Sequence, residues 1–109
     1  MFTHICIAAD DLDASKAFYD AALGALGVQS IGKVNDRTCV YATETGKLLV
    51  LKPLNEEKAT HSNGGTIGFQ GKTPADVDAF HAAGLANGGS DDGAPGHRPN
   101  APGKQYGAY

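Results

Sequence analysis

Phe2-Thr3-His4-Ile5-Cys6-Ile7-Ala8, followed by Asp10-Asp11-Leu12-Asp13-Ala14-Ser15-Lys16-Ala17-Phe18-Tyr19-Asp20-Ala21-Ala22-Leu23, decides the fold, because the pair of runs is written twice. The first run is short, β-branched and partly alternating. The second carries small apolar residues at helical spacing behind an acidic turn, so the unit reads as strand, turn, helix. Shifted by 62 positions the unit returns: His4-Ile5-Cys6-Ile7 falls on Thr66-Ile67-Gly68-Phe69, Ala17-Phe18-Tyr19 on Ala79-Phe80-His81, and Gly27 on Gly89. A strand and a helix matching at one offset indicate an internal duplication.

Alternation in the first strand puts Phe2, His4, Cys6 and Ala8 on one face and Thr3, Ile5 and Ile7 on the other, the second set suiting a face packed on helices. Asp11 or Asp13 can cap the helix, whose narrow stripe is Ala14, Ala17, Phe18, Ala21, Ala22 and Ala25, and Gly24 and Gly27 are expected to stop it. Three short strands follow, over 28–31, 37–43 and 47–51, with turns at Gly32, Asn35-Asp36 and Glu44-Thr45-Gly46. The first half, 1–54, is therefore βαβββ. Residues 55–65 are polar and read as an exposed linker. The second half, 66–109, opens with a strand over 66–71 and a helix with Thr73 as N-cap, Pro74 at its first position, a buried stripe of Val77, Phe80 and Gly84, and Gly88-Gly89 at its end. Residues 90–103 are dense in Gly and Pro and read as an extended crossing segment or loop rather than a regular central strand. A strand begins at Gln105-Tyr106, and the second half is expected to be incomplete, without its last strand.

At 109 residues the chain is expected to form one domain, or two small half-domains sharing a core, since each half alone is too short to bury much apolar surface. A net charge of −3 with scattered Lys and Arg leaves no basic footprint for nucleic acid. No apolar run approaches the roughly 18 residues of a membrane span, and the start lacks a basic segment with an apolar signal core. The reading is a cytoplasmic protein with neither a nucleic-acid nor a membrane partner. Cys6 and Cys39, without the close spacing of a zinc site or a disulfide scaffold, read as reduced, buried thiols. There is no nucleophile elbow, no phosphate-cradling Gly-rich loop after a strand, and no HxxxH spacing.

With these residues in view the chain resembles the vicinal oxygen chelate superfamily, which includes glyoxalase I, the bleomycin-resistance proteins and the extradiol dioxygenases. The resemblance is carried by residues 2–7 and 11–19, by Val77-Asp78-Ala79-Phe80-His81-Ala82-Ala83-Gly84, by Gly93-Ala94-Pro95-Gly96 and by Tyr106-Gly107-Ala108-Tyr109. It implies an α+β fold of paired βαβββ modules whose mixed sheets form a cup with helices outside. In metal-dependent members the ligands come from the first and last strands of each module. Carried over, those places are His4, the neighbourhood of Val50, Thr66 and a position beyond Tyr109. Only His4 can ligate well, whereas a divalent site needs about three N, O or S donors. No cofactor is therefore expected, a divalent metal being required only by the alternative reading below.

The candidate ligand-binding residues are His4, Cys6, Arg37, Tyr41, Thr66 and Arg98. His4 can ligate a metal, act as a base or line a pocket, and Cys6 shares its face. Arg37, Cys39 and Tyr41 share one face of the third strand; if it is the cup face, Tyr41 offers a ring and a hydroxyl, and Arg37 a charge. The resemblance puts Arg98 near the cup mouth as an anion contact. His61 and His97 read as solvated, and His81 as a half-exposed helical residue. These features imply a small-molecule-binding protein of the glyoxalase and bleomycin-resistance type without a complete metal site. The alternatives are a metal-dependent lyase or isomerase resembling glyoxalase I, or dioxygenase-related, drawing ligands such as His61, Glu56 or His97 from a dimer, and a diverged domain retained for assembly. An incomplete sheet edge invites a second copy, so a homodimer, with strand exchange as an option, is expected.

Overall fold

A computed structural model describes residues 1–109, the side chain of Lys104 excepted. Its elements in order are β1 (His4–Ala8), α1 (Leu12–Ala25), β2 (Gln29–Asn35), β3 (Thr38–Ala42), β4 (Lys47–Leu51), α2 (Pro74–Ala86), β5 (Gly96–His97), a 3-10 turn (Pro102–Lys104) and β6 (Tyr106–Gly107). The fold class is α+β, as the sequence implies. By contacts the chain divides into two compact units, residues 1–17 with 28–68 and residues 18–27 with 69–109. The segment read as a linker thus belongs to the first unit, and the two halves of α1 belong to different units.

The first unit holds a four-stranded mixed sheet in the order β1-β4-β3-β2. β1 runs parallel to β4, and β3 pairs antiparallel with both β4 and β2. Register partners point to the same side of a sheet, so the ladders define two faces. On one lie Ile5 and Ile7 of β1, Leu48 and Val50 of β4, Cys39 and Tyr41 of β3, and Ser30 and Lys33 of β2. Tyr41, Cys39, Val50 and Leu48 there are buried, as is Leu12 at the start of α1. The Tyr41 hydroxyl donates to the Lys16 carbonyl at 3.3 Å, and Lys33 pairs with Asp13, so this face carries the first turns of α1. The Lys33 ammonium beside it holds the Asp13 carboxyl below its usual value. The opposite face bears three rows: His4, Lys47, Ala42 and Gln29; Cys6, Leu49, Val40 and Gly32; Ala8, Leu51, Thr38 and Asn35.

β2 is longer than its sequence suggests. Its register slips between Ser30 and Gly32 and between Lys33 and Asn35, which leaves Ile31 and Val34 outside the paired rows and exposed. Gly32, at φ 86, supplies the left-handed backbone at the first slip. Of the two glycines expected to stop α1, Gly24 lies inside it, and the chain turns at Gly27, whose φ of 76 is the one a glycine adopts freely.

In the second unit, α2 begins and ends as its sequence dictates. Thr73 accepts from the Asp76 amide while the Asp76 carboxylate accepts from the Thr73 amide, a reciprocal cap. At the other end the Gly89 amide reaches back to the Gly84 carbonyl at 2.8 Å across Gly88 at φ 94. Gly84 is the buried residue of the stripe, lying against the Phe18 ring, and Val77 and Phe80 are half-buried.

One expectation fails here. Residues 66–71 form no strand, although the second helix starts at the position the duplication gives it. β1 has its ladder from β4, and no described strand offers 66–71 an equivalent, so β propensity alone does not order that backbone. The Gly- and Pro-rich segment, read as no regular central strand, contributes the two residues of β5, which pair antiparallel with β6, and the ladder is extended by bonds from Arg98 to Gln105 and from Tyr109 to Gly93. Pro95, Pro99 and Pro102 fall outside the residues that donate in it.

Candidate functional site

The sheet face opposite the one that carries the first turns of α1 presents the candidate site. His4, Cys6 and Ala8 on β1 are exposed, and beside them Leu49 and Leu51 of β4 are half-buried and Val40 of β3 is buried. β1 lies at the sheet edge, which is why Cys6 is exposed rather than buried as its sequence suggested; Cys39, on the helix-bearing face, is buried, and the two form no disulfide. His4 Nδ1 lies 2.9 Å from the Thr3 hydroxyl. Directly across the ladder stands Lys47, whose ammonium has no acidic partner among the described residues. Sequence reasoning passed over Lys47, although it shares its alternation with Leu49 and Leu51 and follows a readable Gly46 turn.

The other sequence-predicted residues do not join this site. Tyr41 lies on the helix-bearing face, 1 % exposed, so it cannot line a pocket with His4. Thr66 is exposed and outside any strand. Arg37 lines a separate cleft of about 400 Å³ with Asp10, Lys52, Pro53, Glu56 and Glu57. Its guanidinium donates to the carbonyls of Pro53 and Lys52 and lies 3.6 Å from the Glu56 carboxylate, so it pins the segment after β4.

In the second unit Arg98 donates to the Ala94 carbonyl at 2.7 Å and packs over the Tyr109 ring at 5.5 Å. Its guanidinium is thus held against its own strand pair. His97 stacks edge-on against Tyr106, whose hydroxyl donates to Asp78 at 2.6 Å, and this bond raises the Tyr106 pKa. His81, read as half-exposed, has a side chain only 12 % exposed and meets Asp91 at 2.9 Å. That bond, helped by the Gly93 amide, holds the Asp91 carboxyl below its usual value.

The sequence profile of the glyoxalase/bleomycin resistance protein/dioxygenase superfamily matches residues 1–106. The chain belongs to that superfamily. A solved glyoxalase/bleomycin resistance protein from Albidiferax ferrireducens T118 is 44% identical, with 92% of this chain and 81% of that one covered and a TM-score of 0.86. A lactoylglutathione lyase from Agrobacterium tumefaciens shares the fold, at 22% identity, 97% and 81% coverage and a TM-score of 0.58. No curated protein matches the chain significantly. In the superfamily's metal-dependent members a divalent ion would be held by side chains facing the His4 side of the sheet. Here that side offers the His4 imidazole and the Cys6 thiol, while β4 presents Lys47, Leu49 and Leu51. Among the described residues no three His, Cys, Asp or Glu side chains converge. The donor set of one chain does not fit a divalent metal, because about three ligands are needed and a cation occupies the facing position. No described helix is long and apolar enough to cross a membrane.

Proposed function

We propose that this member of the superfamily is a small-molecule-binding protein that holds its ligand, without a metal ion, on the sheet face bearing His4 and Cys6. The observation that carries the reading is the composition of that face: exposed His4, Cys6 and Ala8 beside half-buried Leu49 and Leu51. Apolar surface with a few convergent polar groups is what a small-molecule site requires. Of the six candidate residues, His4 and Cys6 are retained. Membership in the superfamily, and 44% identity to a protein described as glyoxalase/bleomycin resistance, support the class of function. A homodimer in the cytoplasm is part of the proposal, because β1 closes one side of the sheet with an unpaired edge that a second copy can meet.

Cys6 gives the test its readout, since it is exposed on the proposed face while Cys39 is an internal control. In buffer containing EDTA, a screen of aromatic and thiol-conjugate compounds for slowed iodoacetamide labelling of Cys6 is expected to find protecting ligands. Protection that requires an added divalent ion, or none from any compound, contradicts the reading.

A further inference from the structure

We infer that the ligand is a small organic anion with an apolar body, its carboxylate seated between His4 and Lys47; this rests on the proposed site and names its ligand class. The inference comes from how charge is distributed over the face. The chain carries twelve Asp and Glu against nine Lys and Arg, yet none of the residues in the three rows of this face is acidic. The charged groups it does carry are basic or ionisable to basic, and they are neighbours: His4 and Lys47 are register partners on adjacent parallel strands, about 4.8 Å apart at the backbone.

Elsewhere in the same unit two cations are engaged, Lys33 by Asp13 and Arg37 by Glu56 and two carbonyls. Lys47 has no such partner among the described residues. When the Thr3 hydroxyl donates to His4 Nδ1, the ring proton sits on Nε2, which then faces a ligand as a donor. An ammonium and an imidazole N–H side by side form a two-donor seat for a carboxylate, and charge-assisted bonds are the stronger kind.

Beyond that seat the surface changes character. The second row offers Cys6, Leu49 and Val40, and the third adds Leu51 before it turns polar at Thr38 and Asn35. From the His4 row to the Ala8 row is about 13 Å along the strand. That length takes an aromatic ring or a short alkyl chain. A cationic ligand would meet Lys47 at the same place and be repelled.

The test is a titration of the metal-stripped, 15N-labelled protein with phenylacetate, with its neutral isostere phenylacetamide and with phenethylamine, followed by backbone amide shifts. Phenylacetate is expected to move Cys6 and Leu49 and to bind about tenfold more tightly than the amide. In Lys47→Glu, a substitution at an exposed position, the order reverses and phenethylamine binds more tightly than phenylacetate. Equal binding of acid and amide at the same residues overturns the anion inference while the proposed site stands. Binding of none of the three overturns both.

Discussion

Tyr41 and His4 lie on opposite faces of one sheet: Tyr41 is the register partner of Leu48, Leu48 that of Ile5, and Ile5 alternates with His4 along β1. The Tyr41 ring is therefore part of the packing under α1, and its hydroxyl holds the Lys16 carbonyl. Tyr41→Phe is expected to cost about 1 kcal/mol, a fall of about 5 °C in melting temperature, with ligand affinity unchanged. Paired melting curves and titrations check both halves of that statement.

The glycines of the second unit separate by what surrounds them. Gly24 sits inside α1 with nothing within 4 Å of an added Cβ, whereas a Cβ on Gly89 would come 2.7 Å from the Gly84 carbonyl oxygen and 2.9 Å from the Phe18 ring. Gly24→Ala is expected to stabilise by about 0.5–1 kcal/mol. Gly89→Ala destabilises instead, since a backbone oxygen cannot swing away as a side-chain end can. Chemical denaturation of the two variants gives the signs directly.

The start of α2 depends on its reciprocal cap. Thr73→Ala removes the acceptor for the Asp76 amide and is expected to cost about 1 kcal/mol. Hydrogen exchange at Asp76 and Val77 would rise before exchange in the middle of the helix. Uniform exchange across α2 would show that the cap does not hold its first turn.

Acid should loosen the second unit at one place. The folded-state pKa of Asp91 is depressed by His81 and by the Gly93 amide, so the stabilisation it confers is present above the ordinary carboxylate value of 3.8 and is lost as pH falls through the folded value. The Gly93 amide resonance is expected to move in that window, below pH 3.8. In Asp91→Asn that transition disappears.

Much of the first unit was readable because its signals are local. The strand alternation in β1 separated Ile5 and Ile7 from His4 and Cys6 correctly, and in the second unit Thr73-Pro74 with Asp76 marked the start of the second helix to the residue. The face of Tyr41 was not readable: Arg37, Cys39 and Tyr41 are no more apolar than Thr38, Val40 and Ala42, and only the β3–β4 register decides between them. Residues 66–71 failed for a related reason, since a strand exists through its partner and their composition says nothing of one. Lys47 and the His81–Asp91 pair were missed because each acquires its role from a residue brought beside it by folding.

Side-chain methyl spectra of the metal-stripped protein, recorded with increasing phenylacetate, test the central claim most directly, because adjacent residues of β4 point to opposite faces. Binding on the His4 side without a metal predicts shifts at Leu49, Leu51 and Val40 and none at Leu48 and Val50. Shifts confined to Leu48 and Val50, or shifts that appear only when a divalent ion is restored, would contradict it.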